Sequence, residues 1–482
     1  MARGASLGII SQPAEQAPTA LAVQGEIPAW LQGSLVRTVP AIFEVGGKRL
    51  QHWFDGLALL NAFTFEHGEV SYASRLLRSD AHRAATERGL TPRRSFAGDP
   101  CASIFSRIAS LFAPTRESLT DNGNVNIGLL GDRWVAMTEA PMPVAFDPTT
   151  LQTLGLVEHH DDLGLGHGTP HPHYTSPGVM VNSVLTFGAR PRYHLYETGT
   201  DGGADRREIA SMTTRAPAYM HSFSLTERHL VLIEQPWVID PSEVLRSGRP
   251  LRSFVQYFTW KPQLGTRLRI FSRDTGHLVR TAVAEPMFLF HTINAFDDGD
   301  DVVVDVAAYR DPSIVDAFYL SAMACDDTGF PVSRPRRVRV HLPDGAVAVT
   351  DLAGQDFELP VIDYARCNGR PYRYAYGVGR RCDDERSFWD QLVKLDVQTG
   401  ATLTWHEAGT HPSEPVFVAH PDRVGEDEGV LLSVVLDHAT QGSFLLVLDA
   451  GDLHEIARAQ APQRIPLGFH GQHLPSLAAA GV

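Results

Sequence analysis

Apolar residues in this chain fall in short, often alternating runs: LVRTV, DRWVAMTE, GVMVNSVLTF, HLVLIEQ, DDVVVDVAAY, VLLSVVL and SFLLVLD. Such runs of about five to eight residues, closed by Gly, Asp or Pro, are strands rather than helices. The 41 glycines and 32 prolines supply the many turns this requires. A chain of 482 residues exceeds the usual size of one core, so two domains or one large closed architecture both fit. The fold class predicted is all-β.

A loose repeat runs through these strands. Four times an apolar run ends in an Asp-containing turn and another strand follows: near Asp147 in VAFDPTTLQTLGLV, Asp274 in RIFSRDTGHLVRTA, Asp396 in LVKLDVQTGATLTW and Asp449 in FLLVLDAGDLHEIA. Hairpins of this kind recur in the four-stranded blades of β-propellers, and also in sandwiches. Their irregular spacing requires large insertions. One segment breaks the pattern. In Ser103 to Ala113, the residues Ile104, Phe105, Ile108, Leu111 and Phe112 share one face of a short helix. That face either packs onto the body or meets lipid, where a very apolar substrate would be stored.

Charge and cysteine usage narrow the setting. A net charge of −14 argues against a nucleic-acid surface, which needs clustered Lys and Arg. The lysines are Lys48, Lys261 and Lys394 alone. Four cysteines, Cys101, Cys325, Cys367 and Cys382, show no framework spacing, which fits a reduced, cytoplasmic location. The first residues lack the apolar core of a signal peptide, and no run of about 18 apolar residues is present to span a membrane.

Common catalytic signatures are missing: no P-loop, no H-E-x-x-H, no G-x-S-x-G. What stands out among 21 histidines is a group at the ends of strand-like runs, in HPHYTSPG, YMHSFSLT, LFHTINAF and IPLGFHG. Spread from 171 to 470, they can meet only if the chain closes on itself.

The chain resembles the carotenoid cleavage oxygenase family from GEIPAWLQGSLVR to GFHG, as one domain over 1–482. It is most similar to the branch of animal β-carotene oxygenases and the retinal-pigment-epithelium retinoid isomerohydrolase. HWFDGLALLNAFTF, SRLLRSDAHRAA, DPCASIFSRI, TDNGNVNI, RPYRYAYGVG and SEPVFVAHPD carry the likeness. It implies a seven-bladed β-propeller with a helical and loop cap over an axial Fe(2+) site. The ligands implied are His171, His221, His291 and His470, with Glu139, Glu358 and Glu414 behind His221, His291 and His470 and none behind His171. Four neutral imidazoles leave a metal its full charge, which outer carboxylates offset while fixing each ring's tautomer. Such a donor set suits Fe(II), and also Zn, Cu or Ni; zinc has no redox chemistry. Among the remaining histidines, His173 and His229 read as structural, and His159 and His160 as solvated.

The implied reaction is oxidative cleavage of one conjugated C=C bond of a carotenoid or apocarotenoid by dioxygen, giving two carbonyl products such as retinal or apocarotenals. No nicotinamide or flavin is needed. The polyene is expected to reach the metal through an apolar, aromatic-lined tunnel. The same branch contains the isomerohydrolase, which cleaves a retinyl ester on the same iron without oxygen chemistry, so that activity stands as the alternative. Stilbene cleavage is disfavoured, because Thr138 stands where that branch has a Lys before the Glu. Two further departures are Asn61, where the branch commonly has His, and Arg37-Thr38-Val39-Pro40 in place of R-N-G-P, expected to alter a tight turn. Cys101 lies in a DPC motif linked in animal relatives to membrane attachment; without a companion basic patch it reads first as a buried or plain surface thiol, with peripheral membrane contact as the alternative.

Overall fold

The computed structural model describes residues 5–90, 96–97, 119–188, 190–200, 203–239, 253–325, 328–381 and 387–475. The segment containing Cys101, Ile104, Phe105, Ile108, Leu111 and Phe112 lies outside them. Seven antiparallel sheets of four to six strands succeed one another along the chain as the blades of a propeller. Blade 1 pairs Gly33–Ile42, Leu57–Glu66 and Glu69–Leu76 with the C-terminal strand Gly471–Leu474. Blades 2 to 6 span Asn126–Leu156, His167–Thr213, Ser224–Ala284, Phe288–Asp351 and Glu358–His406. Blade 7 runs from Thr410 to Gln460 and receives the N-terminal strand Val23–Gly25 on its outer edge. Strands from both ends of the sequence thus join the first and last blades, Gly471–Leu474 beside Gly33–Ile42 in blade 1 and Val23–Gly25 beside Glu455–Gln460 in blade 7.

The repeat seen in the sequence is the outer hairpin of four blades. In blades 2, 6 and 7 the Asp carboxylates of Asp147, Asp396 and Asp449 accept backbone N–H groups two and three residues on. Each such turn satisfies donors the ladder leaves free, which is why Asp recurs there. Asp274 occupies the corresponding turn of blade 4, between Thr266–Ser272 and Leu278–Ala284.

Apolar side chains pack between neighbouring blades. Val302, Val304 and Val338 of blade 5 meet Val231, Leu268 and Ile270 of blade 4; Leu35 and Phe63 of blade 1 meet Leu432 and Leu445 of blade 7. Strands buried on both faces explain why runs such as VVVDVAA barely alternate. Above the axis lies a different layer, a cap of turns and short helices: Trp53–Asp55, Phe254–Tyr257, Ser313–Ala317 and Leu320–Met323. Its Trp53, Phe54 and Phe318 join Phe290 and Phe469 in one aromatic cluster. No helix among the described residues is long and apolar enough to cross a membrane.

The expected tight turn at Arg37–Pro40 is absent. These residues lie inside the strand Gly33–Ile42, with Val39 opposite Leu59. Val39 fits a strand as a β-branched residue, and its Cγ1 sits against Gly468, where a Cβ would be only 2.2 Å away.

Candidate metal centre

Every blade sends one polar side chain to the axis. His171, His221, His291 and His470 come from blades 3, 4, 5 and 1, and Glu139, Glu358 and Glu414 from blades 2, 6 and 7. Three of the histidines stand just before an inner strand, and His291 within one, so each ring leaves the sheet where the axis is open. One nitrogen from each of the four rings lies within 4.8 Å of the others. Nε2 of His171 is 3.1 Å from Nε2 of His221, and Nε2 of His291 is 3.1 Å from Nε2 of His470.

The opposite nitrogens are committed elsewhere. Nδ1 of His221 donates to Glu139 at 2.7 Å, that of His291 to Glu358 at 2.6 Å, and that of His470 to Glu414 at 2.6 Å. His171 has no carboxylate partner among the described residues. A ring whose Nδ1 carries the proton keeps a lone pair on Nε2. Three rings are fixed that way, and their lone pairs face one another in a buried space. Protonation cannot relieve the crowding: burial, and then repulsion among the rings, hold His171, His221 and His470 well below the usual imidazole range. A shared cation is what fits such a donor set.

The carboxylates are themselves held. Tyr219, two residues before His221 in the same motif, donates its hydroxyl to Glu139. Gly471 N–H donates to Glu414 at 3.0 Å and Leu359 N–H to Glu358 at 2.5 Å. Leu359 adopts φ 47°, a left-handed conformation that costs a β-carbon residue about 1–2 kcal/mol, and it does so directly after the glutamate. Desolvation raises Glu139 and pushes Glu414 up to about 8, the Arg37 charge opposing the latter. A cation at the ring nitrogens acts in the same direction as Arg37, toward the ionised form.

Over the rings lies a cavity walled by Trp53, Phe54, Phe290, Phe318, Trp389 and Phe469. Phe54 and Val125 also border a second, more polar cavity with Asp55, Asn122, Thr138 and His167.

The retinal pigment epithelial membrane protein family model matches residues 10–475. A carotenoid isomerooxygenase of Galleria mellonella is 36% identical over 94% of this chain and 93% of its own length. The β,β-carotene 15,15′-dioxygenase of Gallus gallus is 32% identical over 95% and 96%. Among solved structures, cobalt-substituted Synechocystis apocarotenoid oxygenase superposes with a TM-score of 0.84 at 25% identity, covering 98% of each chain.

The chain belongs to the carotenoid oxygenase family.

In this family member, the seven residues that the resemblance implied do converge, and the three Glu–His pairs form in the expected combinations. The other histidines lie elsewhere. His173 bonds the Phe223 carbonyl at 3.0 Å and Asn368 at 3.2 Å, and His229 pairs with Asp297 at 2.7 Å. His160 is exposed as expected. His159 is not solvated: it is half-buried and bonded to the Ala204 carbonyl at 2.5 Å, because the 158–166 loop folds back onto blade 3. Asn61 is fully buried in the central strand pair of blade 1, its amide reaching the Arg37 carbonyl at 3.4 Å. Tyr219 was not singled out beforehand, although its place two residues from His221 was a usable signal.

Proposed function

We propose that this chain is a non-haem iron(II) dioxygenase that cleaves a conjugated C=C bond of a carotenoid or apocarotenoid to two carbonyl products. The observation that carries this reading is the set of inward-facing imidazole nitrogens beneath an aromatic cavity. His171, His221, His291 and His470 would hold the ion, and a ferrous ion there would supply the redox chemistry that turns dioxygen on a polyene. The protein's part is positional. Glu139, Glu358 and Glu414 fix three rings. Phe54, Phe290, Phe318 and Trp389 offer flat apolar faces to a conjugated chain and exclude water from it. The relatives named carotenoid isomerooxygenase and β,β-carotene 15,15′-dioxygenase support the substrate class.

The test is anaerobic purification with metal analysis, followed by β-carotene and a β-apocarotenal under labelled dioxygen. About one iron per chain and labelled aldehydes are expected, as four protein donors suit one ion. Zinc or no metal in active protein overturns the iron assignment. Oxygen-independent release of an alcohol from a retinyl ester, with no cleavage of either polyene, replaces the oxygenase by an isomerohydrolase.

A further inference from the structure

Arg37 is only 1% exposed, and it lies opposite Gly471 where the last strand closes blade 1. Its Nη1 donates to the backbone carbonyl of Glu414 at 3.1 Å and its Nη2 to that of Phe469 at 3.0 Å. Those two residues come from different blades and are far apart in sequence. One carries the carboxylate that receives His470 Nδ1–H; the other immediately precedes His470. The same arginine also forms the floor under the GFHG segment, because a Cβ on Gly471 would meet Arg37 Cγ at 2.4 Å. Gly468, at the segment's other end, rests on Val39 two residues further along the strand.

We infer that Arg37 is a positioning residue for His470, clamping the backbone of Glu414 to the backbone beside the fourth ring. The inference rests on the reading of the four histidines as metal ligands. A guanidinium suits the task because its planar fork presents donors in fixed directions, which an ammonium on a flexible stem does not. The need for it is greatest here. His470 stands at the seam between blades 7 and 1, on a closing strand of only four residues, Gly471–Leu474. His291 sits within the long strand Phe288–Asp298, and His221 is reached through Tyr219 and Glu139.

The experiment uses the full chain, stripped of metal by a chelator and titrated with Co(II), whose visible ligand-field bands report the donor arrangement. Arg37→Met fills similar space without donors; Arg37→Lys keeps the charge and loses the fork. The expected result is Co(II) binding about 10- to 100-fold weaker in Arg37→Met, the range found for groups that orient metal ligands. Its bands should also shift, with Arg37→Lys between it and the unaltered protein. The melting temperature of each metal-free protein is measured alongside. A lowered melting temperature with unaltered Co(II) affinity and bands would make Arg37 a structural residue only and overturn the inference. If Arg37→Met does not fold, Arg37→Lys decides by the same criteria. Failure of the unaltered chain to bind Co(II) removes the metal reading itself, whereas failure of the arginine variants to differ removes only this inference.

Discussion

Nε2 of His291 lies 3.1 Å from Nε2 of His470, across a sequence separation of 179 residues, and each ring's Nδ1 is tied to its own glutamate. With both Nδ1–H groups on their glutamates neither facing nitrogen carries a hydrogen, and burial of the His470 ring opposes the added proton that could bridge them. The geometry is compatible with a cation between them, and several expectations rest on that reading.

Replacing His291 or His470 by Ala removes one donor from the set. Metal content, measured by mass spectrometry on protein purified without chelator, is expected to fall about tenfold or more, since the group among the described residues holds these four histidines and no further ligand. His173→Gln is the matching control. Its ring is bound to Phe223 and Asn368, so metal content is expected to stay at that of the unaltered protein.

Glu358→Gln and Glu414→Gln keep size and remove charge. Each is expected to weaken metal affinity about 10- to 100-fold, because the amide supports the Nδ1–H tautomer poorly and no longer offsets the ion's charge. Titration calorimetry of metal-free protein reads this directly. Affinity unchanged in both variants would mean that the carboxylates serve only to pack.

Asp55 is buried within the cap, and its carboxyl is pushed up to about 7 by desolvation, against hydrogen bonds from the Ala97, Phe96 and His52 backbone. A folded value above the ordinary 3.8 means the folded state prefers the protonated form. The stability this contributes is complete below that ordinary value and is lost as pH rises through about 7, on the order of a few kcal/mol. Denaturant melts of the unaltered chain and of Asp55→Asn, compared at several pH values from 5 to 8, check it. The variant should show a flatter dependence across that window.

Trp53 is 1% exposed, donates its indole N–H to the Leu467 carbonyl at 3.0 Å, and packs at a 48° tilt against Phe469, the neighbour of His470, with ring centroids 4.3 Å apart. Trp53→Ala is expected to cost about 3–5 kcal/mol in denaturant unfolding, the usual range for emptying a buried aromatic site. Because the roof over His470 loosens with it, metal affinity should fall too. A stability loss with affinity intact would separate the cap from the centre.

How much of this was legible beforehand differs from element to element. Asp147, Asp396 and Asp449 announced outer hairpins because an Asx turn is a local device, settled within three residues. Blade interiors such as DDVVVDVAAY were recognisable as strands from β-branched content alone. Seven-fold closure was not deducible from those runs; it came from family likeness, since hairpins serve sandwiches equally well. The Arg37–Pro40 segment was misread as a turn because its neighbours, not its own residues, decide that it continues as a strand between Leu57–Glu66 and Gly471–Leu474.

The chain by itself determined which residues are strand-forming, where the chain reverses, and which histidines and glutamates stand at strand ends, because backbone sterics and turn chemistry act over a few residues. Only the tertiary structure decided that Glu139 from blade 2 reaches past blade 3 to His221, that Tyr219 backs it, and that Arg37 grips the carbonyls of residues 414 and 469. The first two pairings depend on how successive blades pack around the axis, and the last on ring closure, which brings Arg37 to backbone 377 and 432 residues away.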